Sequence, residues 1–247
     1  MNALPSFIED RYPELKAGGF DRSDGTVQFY SRVNAILSPE ATVVDFGAGR
    51  GGPLIDDTVP YRRELRMLKG KAREVIGVDV DEVVLTNPGV DRAVVLRDAT
   101  IPLADASVDI IVSDFTFEHL PEPAKTCSEL DRILKPGGWI CARTPNRNGY
   151  IAIMNRLISD NLKDVVLRAA QPGRKEEDVF PAHYLLNTFS ALTRHFPKDR
   201  FEHASYSWDS FPSYHFNKKL LFSGFKTLQA ISPPSLKSTL MIFIRKL

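Results

Sequence analysis

An open α/β sheet, mostly parallel and with helices on both faces, is the fold this sequence predicts. Two observations carry the prediction. Short β-branched runs recur along the chain, around Val43 and Val44, Val75 and Ile76, Val94 and Val95, and Ile110 to Val112, with helically spaced segments among them. The first run ends at Asp45 and turns through Gly47, Gly49, Gly51 and Gly52. Glycines this dense let a backbone approach a ligand closely, and the carboxyl ends of strands are where open α/β sheets bind ligands.

Residues 1–25 read as loop and turn, and Ser23 or Asp24 can cap a helix over 26–37, with Val27, Tyr30, Val33 and Leu37 at helical spacing. The first strand is 42–46. In the segment 53–73, Tyr61, Leu65 and Leu68 are expected inward, with the Lys and Arg side chains as a solvated face. Strands follow at 74–79, 93–96 and 110–113. Prolines at 121 and 123 open a helix with Ala124, Cys127, Leu130 and Leu134 as its stripe, and Gly137 and Gly138 start a fifth strand at 139–143. Residues 149–170 carry a helical stripe of Tyr150, Ile151, Met154, Leu157 and Ile158, and 174–178 is a charged loop. A helix capped by Asn187 or Thr188, a strand over 200–208, a Phe- and Leu-rich helix over 215–230 packing on the core, and a strand over 239–244 complete the chain.

Composition narrows the function. The 247 residues carry 32 basic and 31 acidic side chains, a formal net charge of +1, which argues against a chain built to coat nucleic acid. Cys127 and Cys141 fall on apolar positions and suit core packing. His195, His203 and His215 do not share a helix face, so no metal site is expected. No basic and apolar leader opens the chain and no apolar run reaches the ~18 residues of a membrane span, so a cytoplasmic protein is the expectation.

Which ligand the glycine turn takes is not settled by the turn alone. Gly47-x-Gly49-x-x-Gly52 matches the dinucleotide fingerprint, which leaves an NAD(P)-dependent oxidoreductase open. That pattern wants an acid about 20 residues further on. Here the next acid at a strand end, Asp79, lies 30 residues beyond Gly49, and a second acid, Asp45, precedes the glycines.

Six motifs occur in one order: Asp45-x-Gly47-x-Gly49, Gly77-x-Asp79, Arg97-Asp98-Ala99, the strand 107–113, Glu118-His119-Leu120-Pro121, and Leu134-Lys135-Pro136-Gly137-Gly138. Together they resemble the class I S-adenosylmethionine (SAM)-dependent methyltransferases of the broad small-molecule branch, over residues 40–144. The resemblance implies a Rossmann-like, mostly parallel seven-stranded sheet with a helical insertion after the fifth strand. It implies one domain: a cap at 1–40, a SAM-binding core at 41–144, a substrate-binding lid at 145–186, and closing helices and strands at 187–247. The segment after the glycines is longer than this family's usual crossover, so an extra loop is expected near 52–62.

The resemblance implies SAM as cofactor and assigns its pocket to Asp45, Phe46, Gly47, Ala48, Gly49, Asp79, Val80, Asp98, Ala99, Ser113, Asp114 and Phe115. In it the second acid takes both ribose hydroxyls, a task that suits a two-oxygen acceptor. Arg22, Phe29 and Tyr30 are candidates for the ligand's amino-acid end. Candidate catalytic residues are His119, Asp114 and His183, with imidazole titrating near neutrality. Asn146, Arg147, Tyr150 and Tyr184 are candidates for the acceptor pocket. Ser113-Asp114-Phe115-Thr116 is unlike the Asn-Pro-Pro-Tyr of base-amine DNA methyltransferases, and Glu118 lacks the second glutamate of arginine-methylating enzymes. A small-molecule or glycan acceptor, methylated at a hydroxyl, is the expectation, and a lipid-linked acceptor stays open. A methyltransferase-like binding protein without activity is the remaining alternative, and the intact acids at 45, 79 and 98 weigh against it.

Overall fold

The computed structural model describes residues 5–98, 100–150, 152–153, 181–212 and 217–247. Its centre is one mixed sheet. Five parallel strands, β1 (Thr42–Phe46), β2 (Glu74–Asp79), β3 (Arg92–Val95), β4 (Val108–Asp114) and β5 (Leu134–Pro145), lie in the order β3-β2-β1-β4-β5. The chain runs outward from β1 to β3 and then returns to place β4 on β1's other side. That reversal leaves a crevice at the carboxyl ends of β1 and β4, where such sheets bind ligands.

The predicted last strand is β8 (Thr239–Lys246), antiparallel to β5. The expected strand at 200–208 is divided into β6 (Phe201–His203) and β7 (Tyr206–Trp208), both antiparallel to β8, so the sheet has eight strands rather than seven. Ser205 causes the break: its Oγ accepts from Phe243 N at 3.0 Å, a ladder position that a neighbouring backbone carbonyl would fill.

The core follows the period of two. Val44, Ile76 and Ile111 pack on one face with Leu130 and Ile133 of α5 (Pro123–Ile133). Val43, Val75 and Ile110 pack on the other with Phe29 and Val33 of α2 (Gly25–Ile36). Alternation is what puts neighbours on opposite faces. Asp24 caps α2, its Oδ1 accepting from Thr26 N at 2.8 Å and Val27 N at 3.0 Å. Upstream lies a short helix, α1 (Ser6–Arg11). In α5 the buried stripe is Cys127, Leu130 and Ile133; Ala124, expected inward, is exposed. Burial pushes the Cys127 thiol up to about 12 and raises Cys141 further, as fits inert core groups.

The long crossover corrects the sequence reading. It holds two short helices, α3 (Gly52–Asp56) and α4 (Pro60–Arg66), in place of the expected loop at 52–62. Tyr61, expected inward, is half-exposed and stacks on Phe20. Arg62 and Arg66, expected in solvent, turn into the protein. Two helices close the fold, α6 (Phe189–His195), capped by Thr188, and α7 (Lys219–Ile231). Most of the expected helix at 149–170, with Ile151, Met154, Leu157 and Ile158, lies outside the described residues, as do the charged loop at 174–178, Ala99 and His215. Among the described residues no helix is long and apolar enough to cross a membrane.

Candidate functional site

The glycine turn is fixed from both sides. Gly47 N donates to Val78 O at 2.8 Å, which ties the turn to β2. Gly47 has a φ of +77°, and a Cβ there would sit 2.2 Å from Thr116 Oγ1, so only glycine lets the loop after β4 close onto the turn. Gly49 differs. A Cβ on it would meet nothing within 4 Å, because its α-carbon faces open space. Gly49 N donates to Asp79 Oδ2 at 2.8 Å, and Asp79 Oδ1 accepts from Asp81 N at 2.9 Å. Each carboxylate oxygen thus keeps lone-pair capacity for a further donor. Behind the turn, Asn87 Nδ2 donates to Ala48 O at 2.9 Å and Gly49 O at 3.1 Å. Asn87 was not singled out in the sequence, since nothing local marks a side chain that braces a loop 39 residues away.

These groups open into a cavity of about 870 Å3. Of the predicted residues it gathers Phe46, Gly47, Ala48, Gly49, Asp79, Val80, Asp114, Phe115, His119 and His183. Leu96 and Leu120 add apolar wall, and Arg62 and Arg66 add charge. The volume lies within the roughly 300–1,000 Å3 of small-ligand sites. A carboxylate with spare acceptor capacity, close-approach glycines and apolar wall fit a nucleoside in an extended pose.

Charge around the cavity is paired. Asp57 takes two bonds from Arg62, at 2.6 and 2.8 Å, and one from Arg66 at 3.0 Å. Arg62 also donates to Asp24 Oδ2 at 2.9 Å. Arg143 grips Asp114 with two bonds, at 2.6 and 2.7 Å. Burial alone would raise the Asp114 carboxyl, but the Arg143 charge and its hydrogen bonds hold it below the usual range. Asp114 thus meets both cavities as a carboxylate held by Arg143. Asp45 is the opposite case. Burial, then the Asp114 and Asp79 charges, pushes it up to about 7.

The turn after β4 is clasped to residues 181–187. Glu118 Oε2 accepts from Thr144 Oγ1 at 2.7 Å, which in turn accepts from Asn187 Nδ2 at 2.7 Å. Glu118 O accepts from His183 N at 2.7 Å and Tyr184 N at 3.1 Å. His119 Nδ1 donates to Pro181 O at 2.8 Å, and its Nε2 lies 3.9 Å from Glu118 Oε1.

A second cavity, of about 450 Å3, shares Pro53, Arg66, Asp114 and Phe115 with the first and extends to Gly25, Thr26, Arg143 and Ser210. Phe115 stands between the two with a φ of +59°, beneath the Arg143 guanidinium at 4.7 Å. A bulky residue in that region is strained backbone held by its surroundings.

Other predicted residues sit elsewhere. Asp98 is exposed, its Oδ1 accepting from Thr100 N at 2.8 Å, and Ser113 is fully buried in β4; neither lines either cavity. Asn146 spends its amide on Ser235 O and Lys237 O and its Oδ1 on Asn148 N, which makes it a loop brace rather than an acceptor contact. Tyr150 stacks on Phe225 of α7, and Arg147 N donates to Asn187 O. Arg147, Tyr150 and Tyr184 line neither cavity. Arg22 pairs with Glu14, while Phe29 and Tyr30 are buried beneath the site.

Residues 60–142 match the family model of a methyltransferase domain. A probable SAM-dependent methyltransferase of Mycolicibacterium smegmatis is 38% identical over 158 residues, 59% of this chain and 55% of its own length. A solved SAM-dependent methyltransferase from Archaeoglobus fulgidus superposes with a TM-score of 0.54 at 18% identity, over 95% of this chain and 97% of that one, a likeness of fold. The chain is similar to SAM-dependent methyltransferases in sequence over these stretches and has their fold. Other similar proteins are named for different acceptor atoms. Dimethylglycine N-methyltransferase of Parasynechococcus marenigrum is 29% identical over 47% of this chain and 41% of its own length. Ubiquinone biosynthesis O-methyltransferase of Burkholderia thailandensis is 28% identical over 44% of this chain and 47% of its own length. The chain spans about half the length of the curated relatives it matches.

Proposed function

We propose that this chain binds SAM in the larger cavity and methylates a small-molecule acceptor, at a hydroxyl, that enters through the smaller one. The observation that carries the reading is the Gly49–Asp79 pair, where a close-approach glycine and a carboxylate meet at one cavity wall. SAM supplies an activated methyl group, and the protein contributes position and electrostatics. The Asp79 oxygens accept from the two ribose hydroxyls, and Val80 and Leu96 cover the base. Asp45, Asp79 and Asp114 set a negative field for the sulfonium and ammonium groups, only partly cancelled by Arg66 and Arg143.

Thr26 and Ser210 offer hydroxyls to the acceptor in the smaller cavity. His119 Nε2 takes the acceptor's proton as the oxygen–carbon bond forms and the sulfur–carbon bond breaks. Phe115 excludes water from the line between the two cavities and limits the acceptor's width there. A glycan fits the same description only if one sugar hydroxyl can reach past Phe115.

The test is a screen of hydroxyl, amine and carboxylic acid acceptors that reads out S-adenosylhomocysteine. Turnover with a hydroxyl compound, reduced by His119→Asn without loss of SAM affinity, supports the assignment. Turnover confined to amines or carboxylates would overturn the hydroxyl reading, and no turnover with intact SAM binding would favour the binding-protein alternative.

A further inference from the structure

Helix α7 has two apolar faces, and the fold uses one. Phe222 packs with Ile8 and Tyr12, and Gln229 Nε2 donates to Ser210 O at 2.9 Å, which together fix the buried side. At about 100° per residue, Leu220, Gly224, Leu228 and Ile231 fall on the opposite side. There Leu220 is 84% exposed and Ile231 75%, with Leu221 and Leu228 half-exposed beside them. Single exposed leucines need no explanation, but four large apolar side chains exposed along one 13-residue helix mark a contact surface.

The charges around the stripe say what it contacts. Residues 210–247 contain no Asp or Glu. Lys218 and Lys219 are exposed at the start of the helix, and Lys226 and Lys237 lie within and just beyond it. Arg245 and Lys246 belong to β8, where Lys246 is bonded to Asp131 and Leu134 carbonyls, and they take no part. Exposed apolar side chains along a helix with exposed lysines at its start are the composition of a segment lying in the interface of an anionic bilayer. A second copy of the chain would instead bring the same lysines against each other, which opposes self-association.

We propose that α7 docks the protein on anionic lipid membranes. Leu220, Leu228 and Ile231 enter the boundary between headgroups and acyl chains, and Lys218 and Lys219 meet the lipid phosphates. Docking does not depend on the methyl-transfer reading, since none of these side chains lines either cavity.

Co-sedimentation of the full chain with phosphatidylcholine vesicles, and with phosphatidylcholine–phosphatidylglycerol vesicles, tests this. The protein should partition onto the mixed vesicles and remain in solution with the neutral ones. The double variant Leu220→Ser, Ile231→Ser should lose at least about tenfold in partitioning. Lys218→Glu with Lys219→Glu should weaken it similarly, as should high salt. All four positions are exposed, so melting temperatures should match the wild type, which separates lost docking from lost folding. Absence of binding to anionic vesicles, equal binding by the leucine–isoleucine variant, or a solution dimer that this variant dissociates would each overturn the proposal, the last by showing a second copy on the face.

Discussion

Asp45 should make SAM binding depend on pH, with a slope that one substitution removes. In the free protein its carboxyl is pushed up to about 7, first by burial and then by the Asp114 and Asp79 charges. A folded-state value above the ordinary 3.8 means the native chain holds this proton longer than the unfolded chain does. Its contribution to stability is therefore greatest below about pH 4 and is lost as pH rises towards 7. SAM carries cationic sulfonium and ammonium groups into the field of the same three carboxylates and favours their ionised forms. Binding below pH 7 then expels a proton, and affinity must rise with pH. A carboxyl titrating near 7 is ionised in roughly 3% of molecules at pH 5.5 and roughly 75% at pH 7.5, so affinity should rise roughly 25-fold across that window. Isothermal titration at both pH values, in two buffers of different ionisation enthalpy, reads both the affinity and the proton release. Asp45→Asn should flatten the dependence and raise the melting temperature more at pH 7.5 than at 5.5. Equal affinities at the two pH values, or the same slope in Asp45→Asn, would refute the reasoning.

Other perturbations have separate signatures. Asp79→Ala leaves ribose hydroxyls without acceptors and should weaken SAM binding by roughly 1–3 kcal/mol in the same titration. Arg143→Ala strands the buried Asp114 carboxylate and should cost about 3–5 kcal/mol of stability, read by urea denaturation, with Arg143→Ala/Asp114→Ala recovering part of it. Gly47→Ala places a Cβ 2.2 Å from Thr116 Oγ1, so it should lower both stability and SAM affinity, and Thr116→Gly should restore part of each. Phe115→Ala opens the wall between the cavities and should widen the range of acceptors in the product screen while leaving SAM affinity within a fewfold.

The parallel half of the fold was legible because its signals are local. Val43 and Val44 with the glycines after them, and Ile110 and Ile111, announce buried strands and a turn within a few residues of chain. The cavity wall at Gly47, Gly49 and Asp79 was legible for the same reason. The charges were not. Arg62 and Arg66 read as a solvated face and Arg143 drew no reading, since their partners Asp24, Asp57 and Asp114 are set by how α4, β4 and β5 pack. Asn146 looked like a pocket residue because it follows a strand end, but the loop before β8 claims its amide. The break between β6 and β7 escaped notice because Ser205 imitates a backbone group only once β8 lies beside it. In α7 the apolar residues were visible, and their division into a buried and an exposed face depended on where α1 packs.

The central claim, that the cavity beside Gly49 and Asp79 is a SAM site, is tested most directly by titrating the full chain with SAM and separately with NAD. The account predicts one SAM per chain, displaced by S-adenosylhomocysteine and weakened by Asp79→Ala, with no heat from NAD. Saturable NAD binding without SAM binding would contradict it.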